Sequence, residues 1–158
     1  QLPASKAGKM HNAKKDIDRN GTFKQIIQFV EQKSHQQYIQ DIELGPLPGY
    51  LWIASVDGFY LSTDYGFTWQ PVGARHLPYR PTNVATADST DLPIYVLSLG
   101  DVYVSHDLGD TWAIDFNQSE SFHYVGYVNG VPHAASYPSG QVYRRVGPGQ
   151  WEPLGNAL

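Results

Sequence analysis

The strongest constraint on this chain is a segment that it carries twice, without a gap, 43 residues apart. Leu51 to Trp69 reads LWIASVDGFYLSTDYGFTW, and Ile94 to Trp112 reads IYVLSLGDVYVSHDLGDTW. Each copy opens on an apolar run (Leu51–Ser55, Ile94–Leu99) and passes through a short turn containing Gly. A second short strand follows, then a polar turn that closes on Trp. Apolar runs of this length between turn residues read as strands. A self-match at ~40–45 residues has the period of one four-stranded repeat unit.

A third, degenerate copy runs from Val142 to Trp151 and aligns with Val102–Trp112 once one residue is deleted. Tyr143, Gly149 and Trp151 keep their places, whereas Arg145 stands for the Ser and Gly147 for the Asp. A further candidate strand lies upstream of each copy: Tyr38–Leu44, Asn83–Ala87 and Phe122–Val128. That gives about four strands per unit, and the third unit adds Asn129-Gly130, a strong signal for a two-residue hairpin turn. The units span roughly residues 36–71, 80–115 and 122–154.

The polar turn is Ser-x-Asp-x-Gly-x-Thr-Trp, complete at Ser62, Asp64, Gly66, Thr68 and Trp69 and again at Ser105, Asp107, Gly109, Thr111 and Trp112. Asp suits it because its carboxylate bonds backbone N–H groups a few residues on. Gly accepts positive φ without steric cost, and the hydroxyls satisfy leftover backbone groups. The closing Trp returns a large apolar surface to the core. This pattern resembles the Asp-box, or BNR repeat, of sialidases, sortilin-type receptors, xyloglucan-cleaving glycosidases and non-enzymatic propellers. The resemblance covers about residues 36–154. It implies an all-β chain of Asp-box β-propeller blades, with the box residues (Gly149 and Trp151 in the third copy) structural and at the blade periphery. Three units fall short of the ~4–8 blades of a closed propeller. The expectation is therefore a piece of a larger propeller, or one completed by self-association or a protein partner. The uncovered faces are expected to be lined by Trp52, Ile53, Tyr95 and Val96, making a hydrophobic interface like a cut core.

Residues 1–33 fit the repeat poorly and carry seven Lys or Arg against three acids, whereas the remainder carries four against twelve. This reads as a basic N-terminal arm on an acidic body. Apolar residues at 23, 26, 27 and 30 predict a short helix inside it. Asp16, Asp18 and Asn20 match the first half of a calcium loop, but Ile27 stands where the bidentate Glu belongs. A turn is the simpler reading, and no metal or other cofactor is expected. The arm has no aromatic residue in its first 20 positions, so nucleic acid is not the expected partner. No apolar run is long enough to span a membrane as a helix. With no cysteine there is no disulfide framework and no thiolate zinc site.

A sialidase-type active centre needs an arginine clamp, an acid/base Asp and a Tyr activated by Glu. Tyr79-Arg80-Pro81 is only a fragment of the sialidase arginine motif, and Arg75 and Arg80 read as loop residues. No spacing selects a pair of carboxylates. The six histidines show no zinc spacing and read as surface or packing residues, His106 at an outward position of its turn. Trp52 and Tyr95 occupy equivalent positions, as inter-blade core or, alternatively, as ligand-stacking rings for a glycan. The reading is thus a non-catalytic recognition or scaffolding module of extracellular or periplasmic type, binding a protein or glycan. The alternative is a fragment of an Asp-box glycoside hydrolase, sialidase-like or glucan-cleaving.

Overall fold

A computed structural model describes residues 39–72 and 80–155. The basic arm, its expected helix and the partial calcium loop lie outside these residues. The described chain forms twelve strands. They are β1 (Ile39–Leu44), β2 (Leu51–Ser55), β3 (Gly58–Ser62) and β4 (Gln70–Val72), then β5 (Pro81–Ala85), β6 (Ile94–Ser98), β7 (Asp101–Ser105) and β8 (Ala113–Phe116). The last four are β9 (Ser121–Val128), β10 (Val131–Tyr137), β11 (Val142–Gly147) and β12 (Gln150–Leu154). They make three four-stranded antiparallel meanders, one per sequence unit.

Strand ends follow local chemistry. Strand β6 stops at Ser98 because Leu99 and Gly100 both take positive φ, 53° and 89°, and turn the chain into β7. Asn129 and Gly130, at φ 50° and 75°, make the expected tight hairpin between β9 and β10. Strands β2 and β6 are buried along their whole length, as their continuous apolar runs require.

Directly paired residues share a sheet face, which fixes what each sheet presents to the next. Trp52, Ala54 and Phe59 of the first sheet pack against Val84, Ile94, Val96, Tyr103 and Trp112 of the second. Trp52 stacks on Phe59 at 5.1 Å, and Phe59 meets Trp112 edge-on at 5.7 Å. The second sheet's opposite face, Ala85, Tyr95, Leu97, Val102 and Val104, packs against Phe122, Val125 and Ala134 of the third. Phe116 lies flat on Trp151 across this second junction, at 5.1 Å.

Side-chain hydrogen bonds link the first strands of the sheets. The buried Asp41 carboxylate accepts from the Asn83 amide and, at 3.0 Å, from Val84 N–H. Asn83 Oδ1 in turn accepts from Val125 N–H at 2.7 Å. Strands β1, β5 and β9 therefore line the inner side of the stack.

Two expectations need correction. Trp52, Ile53, Tyr95 and Val96 are each 0% exposed, so they do not line open faces. Trp52 and Val96 close the first junction and Tyr95 the second. With both rings enclosed, neither Trp52 nor Tyr95 offers a platform for a sugar. Among the described residues, the third sheet has an open face that carries Tyr124, Val128, Tyr137 and Val146.

Candidate functional site

The two complete polar turns are near copies in atomic detail. Ser62 Oγ donates to Asp64 Oδ1 at 2.8 Å and accepts from Gly66 N–H at 2.7 Å. Asp64 also accepts from Thr68 N–H at 2.9 Å and Thr68 Oγ1 at 2.6 Å. In the second turn the same bonds from Ser105, Gly109 and Thr111 measure 2.8, 2.8, 2.9 and 2.6 Å. Each closing indole N–H bonds a glycine carbonyl, Trp69 to Gly66 at 3.1 Å and Trp112 to Gly109 at 2.9 Å.

These bonds also set the acid strength of both carboxyls. Partial desolvation pulls Asp64 upward, but the bonds from Thr68 and Ser62 outweigh it and hold its pKa below the usual value. For Asp107 the Thr111 hydroxyl and N–H are the main cause of a lowered pKa. Carboxylates saturated by their own turn are poor proton donors and poor nucleophiles. His106 is exposed beside the second turn.

The third turn lacks both Ser and Asp, and its anchor comes from another sheet. Asp115 on β8 accepts from Arg145 Nε at 2.8 Å and Nη2 at 3.1 Å. It also takes Gly149 N–H at 3.0 Å and the Trp151 indole N–H at 2.9 Å. Its side chain is only 5% exposed, and desolvation is the largest single influence, acting upward. The bonds from Arg145, Gly149 and Trp151, with the guanidinium charge, more than offset this and lower the pKa. Arg145 also lies over the Tyr95 ring, 5.8 Å from its centroid. No local pattern marks Asp115 in the sequence, because its partners are 30 to 36 residues away. The one sequence signal is Arg145 standing where the two complete turns have Ser.

A groove of about 490 Å³ opens where the three innermost strands begin. Its walls are Gln40 of β1, Arg80 and Thr82 at the start of β5, and Ser121, Phe122 and His123 of β9, with the Leu99-Gly100 turn as rim. Phe122 N–H bonds Gly100 O at 2.8 Å, pinning the rim to β9. Gly100 is required there, since a Cβ would sit 2.8 Å from Ser121 Oγ at φ 89°. The Tyr137 ring packs on His123 at 5.0 Å. The sequence marks Arg80 as a loop residue and His123 as a surface or packing histidine, and places Phe122 at the start of a candidate strand. Their neighbours are polar residues on strand faces that no motif marks.

No protein-family model matches the chain, and no curated protein sequence matches it. Solved structures do. YCF48 from Cyanidioschyzon merolae superposes with a TM-score of 0.63 at 21% identity, over 75% of this chain and 37% of its own. An ancestral GH74 enzyme gives 0.63 at 21%, over 75% of this chain and 18% of the enzyme. YCF48 bound to a D1 peptide gives 0.63 at 19%, over 77% and 42%. The fold is that of β-propeller blades. Three blades are present in the described residues, each sheet running from an inner first strand to an outer fourth. The chain spans less than half the length of these propellers.

Proposed function

We propose that this chain is a non-catalytic recognition module of Asp-box propeller type, and that its inner groove receives an extended segment of a protein partner. The groove carries this reading. It lies where three blades converge, and its described walls offer donors and acceptors rather than two facing carboxylates. Concave sites with a few convergent polar groups are the default binding sites of a fold. The repeated turns, with Asp64 and Asp107 fully engaged, serve as Asp-box staples at the periphery. That a YCF48 neighbour is bound to a D1 peptide supports a peptide-like occupant. The GH74 neighbour keeps the other reading, a glycoside hydrolase fragment acting on glucan, in view.

Completion of the propeller belongs to the same proposal. Further blades, from a partner or a second copy, would seat on the open face of the third sheet. That face mixes Tyr124 and Tyr137 with His133 and the Arg144–Glu152 ion pair. The contact is accordingly mixed in character, not the hydrophobic cut core that the sequence suggested. Exposure to an extracellular or periplasmic medium remains part of the proposal.

Selection from a random peptide display library tests the groove. The reading expects binders whose affinity falls at least tenfold on Ser121→Trp, which fills the groove, and is unchanged on Gln150→Ala at the outer edge. Absence of binders, or binders indifferent to Ser121→Trp, would refute it. Release of oligosaccharides from xyloglucan by the purified chain would favour the hydrolase.

A further inference from the structure

The charge inside the groove says more about its occupant, granted that the groove is a recognition site. Its described lining holds one permanent charge, the Arg80 guanidinium. Beside it stand the His123 imidazole, the Thr82 and Ser121 hydroxyls and the Gln40 amide. All of them donate hydrogen bonds to oxygen. No Asp or Glu belongs to this lining. The acids that adjoin it in sequence are occupied or outside it. Asp41 is buried and bonded to Asn83 and Val84, Glu120 accepts from the Ser139 hydroxyl, and Asp101 is not among the lining residues. Among the described residues, the ion pairs are Arg144–Glu152 and Arg145–Asp115, and Arg80 takes part in neither.

Arg80 also has an unusual backbone. Its φ is 70°, in the left-handed region that long side chains rarely adopt. Conformations of this kind persist where the surroundings impose them, and they concentrate at ligand-binding positions. Here the next residue, Pro81, is buried and paired with Ser98, which fixes the start of β5 and leaves the exposed Arg80 at the groove edge.

We propose that the Arg80–His123 end of the groove binds an oxyanion, a carboxylate or phosphoryl group carried by the partner segment. A guanidinium presents paired N–H groups that match either oxyanion in two parallel bonds. The Thr82 and Ser121 hydroxyls and the His123 ring supply further donors around the same space. A guanidinium at the edge of a cleft also attracts anions from solution, an effect that salt weakens.

Amide and side-chain NMR spectra of the labelled chain, titrated with inorganic phosphate and separately with acetate at constant ionic strength set by chloride, test this. Saturable shifts are expected at Thr82, Gly100, Ser121 and His123 and at Arg80 Nε. Apparent affinity should weaken at least tenfold in Arg80→Gln, with Arg80→Lys between the two. Arg80→Gly removes the guanidinium while relaxing the backbone, so it keeps the test sound if Gln disturbs the fold. Stronger binding of phosphate assigns a phosphoryl group, and equal or stronger binding of acetate assigns a carboxylate. Shifts that do not saturate, or that persist in both Arg80→Gln and Arg80→Gly, overturn the proposal. If selected peptides occupy the groove equally well in Arg80→Gln, the oxyanion fails while the recognition site stands. If phosphate binds in the groove but peptides footprint elsewhere, the recognition site fails instead.

Discussion

Replacing Asp115 with Ala should be among the most damaging single changes in the third blade. The carboxylate accepts four hydrogen bonds from three residues of β11, β12 and their turn, and it is almost fully buried. Its removal leaves the Arg145 side chain, 15% exposed, with its charge unpaired, and leaves Gly149 N–H and the Trp151 indole N–H without an acceptor. Removing one partner of a buried ion pair costs about 3–5 kcal/mol. At roughly 2–4 °C per kcal/mol for a domain of this size, the melting temperature should fall by about 10 °C. Arg145→Ala should cost less, because Asp115 keeps its bonds to Gly149 and Trp151. The double variant should be milder than the two single effects added, with a coupling of about 1–3 kcal/mol. Urea denaturation followed by tryptophan fluorescence, with Trp151 as a local reporter, measures all three. An Asp115→Ala chain within about 0.5 kcal/mol of the parent would refute the clamp.

Other outcomes follow from the same geometry. Stability should be pH-dependent through Asp115. Its folded pKa lies below the unfolded value of ~3.9, so the stabilisation is complete above that value and is lost as pH falls through the folded pKa. In acid titrations Asp115→Asn should show a shallower loss than the parent. Trp112→Ala should cost about 3–5 kcal/mol, whereas Trp69, only half-buried, should cost clearly less. Gly109→Ala should be much worse than Gly130→Ala by thermal melting. Both glycines have positive φ, but a Cβ at 109 would lie 2.8 Å from the Trp52 ring and one at 130 would meet nothing within 4 Å. Hydrogen exchange should show the β11–β12 turn protected in the parent and opened in Asp115→Ala, since its anchor is in trans.

Much of the fold was legible because the repeat is local chemistry written twice. Ser62, Asp64, Gly66 and Thr68 bond one another within a few residues, so their spacing alone implies the turn. The apolar runs of β2 and β6 announced strands, and the structure shows them buried along their whole length. What sits between sheets was less legible. Trp52 and Tyr95 are equivalent in sequence, but only packing shows that Phe59 encloses one ring while Tyr127 and Trp151 enclose the other. The third hairpin lacks the Asp that anchors the two complete turns. Asp115, supplied by the neighbouring sheet, offsets that loss in a way no residue near Gly147 reveals. The groove was hidden for a similar reason. Gln40, Thr82, Ser121 and His123 come from different units and meet only because the first strand of each sheet faces inward.

The recognition role is tested most directly by mapping where a selected peptide touches the chain. Amide hydrogen exchange with and without saturating peptide gives that map at near-residue resolution. Slowed exchange at Gly100, Ser121, Phe122, His123 and Thr82, with the outer strands β4, β8 and β12 unchanged, is the predicted result. Protection confined to those outer strands, with the groove amides exchanging as in the free chain, would contradict it.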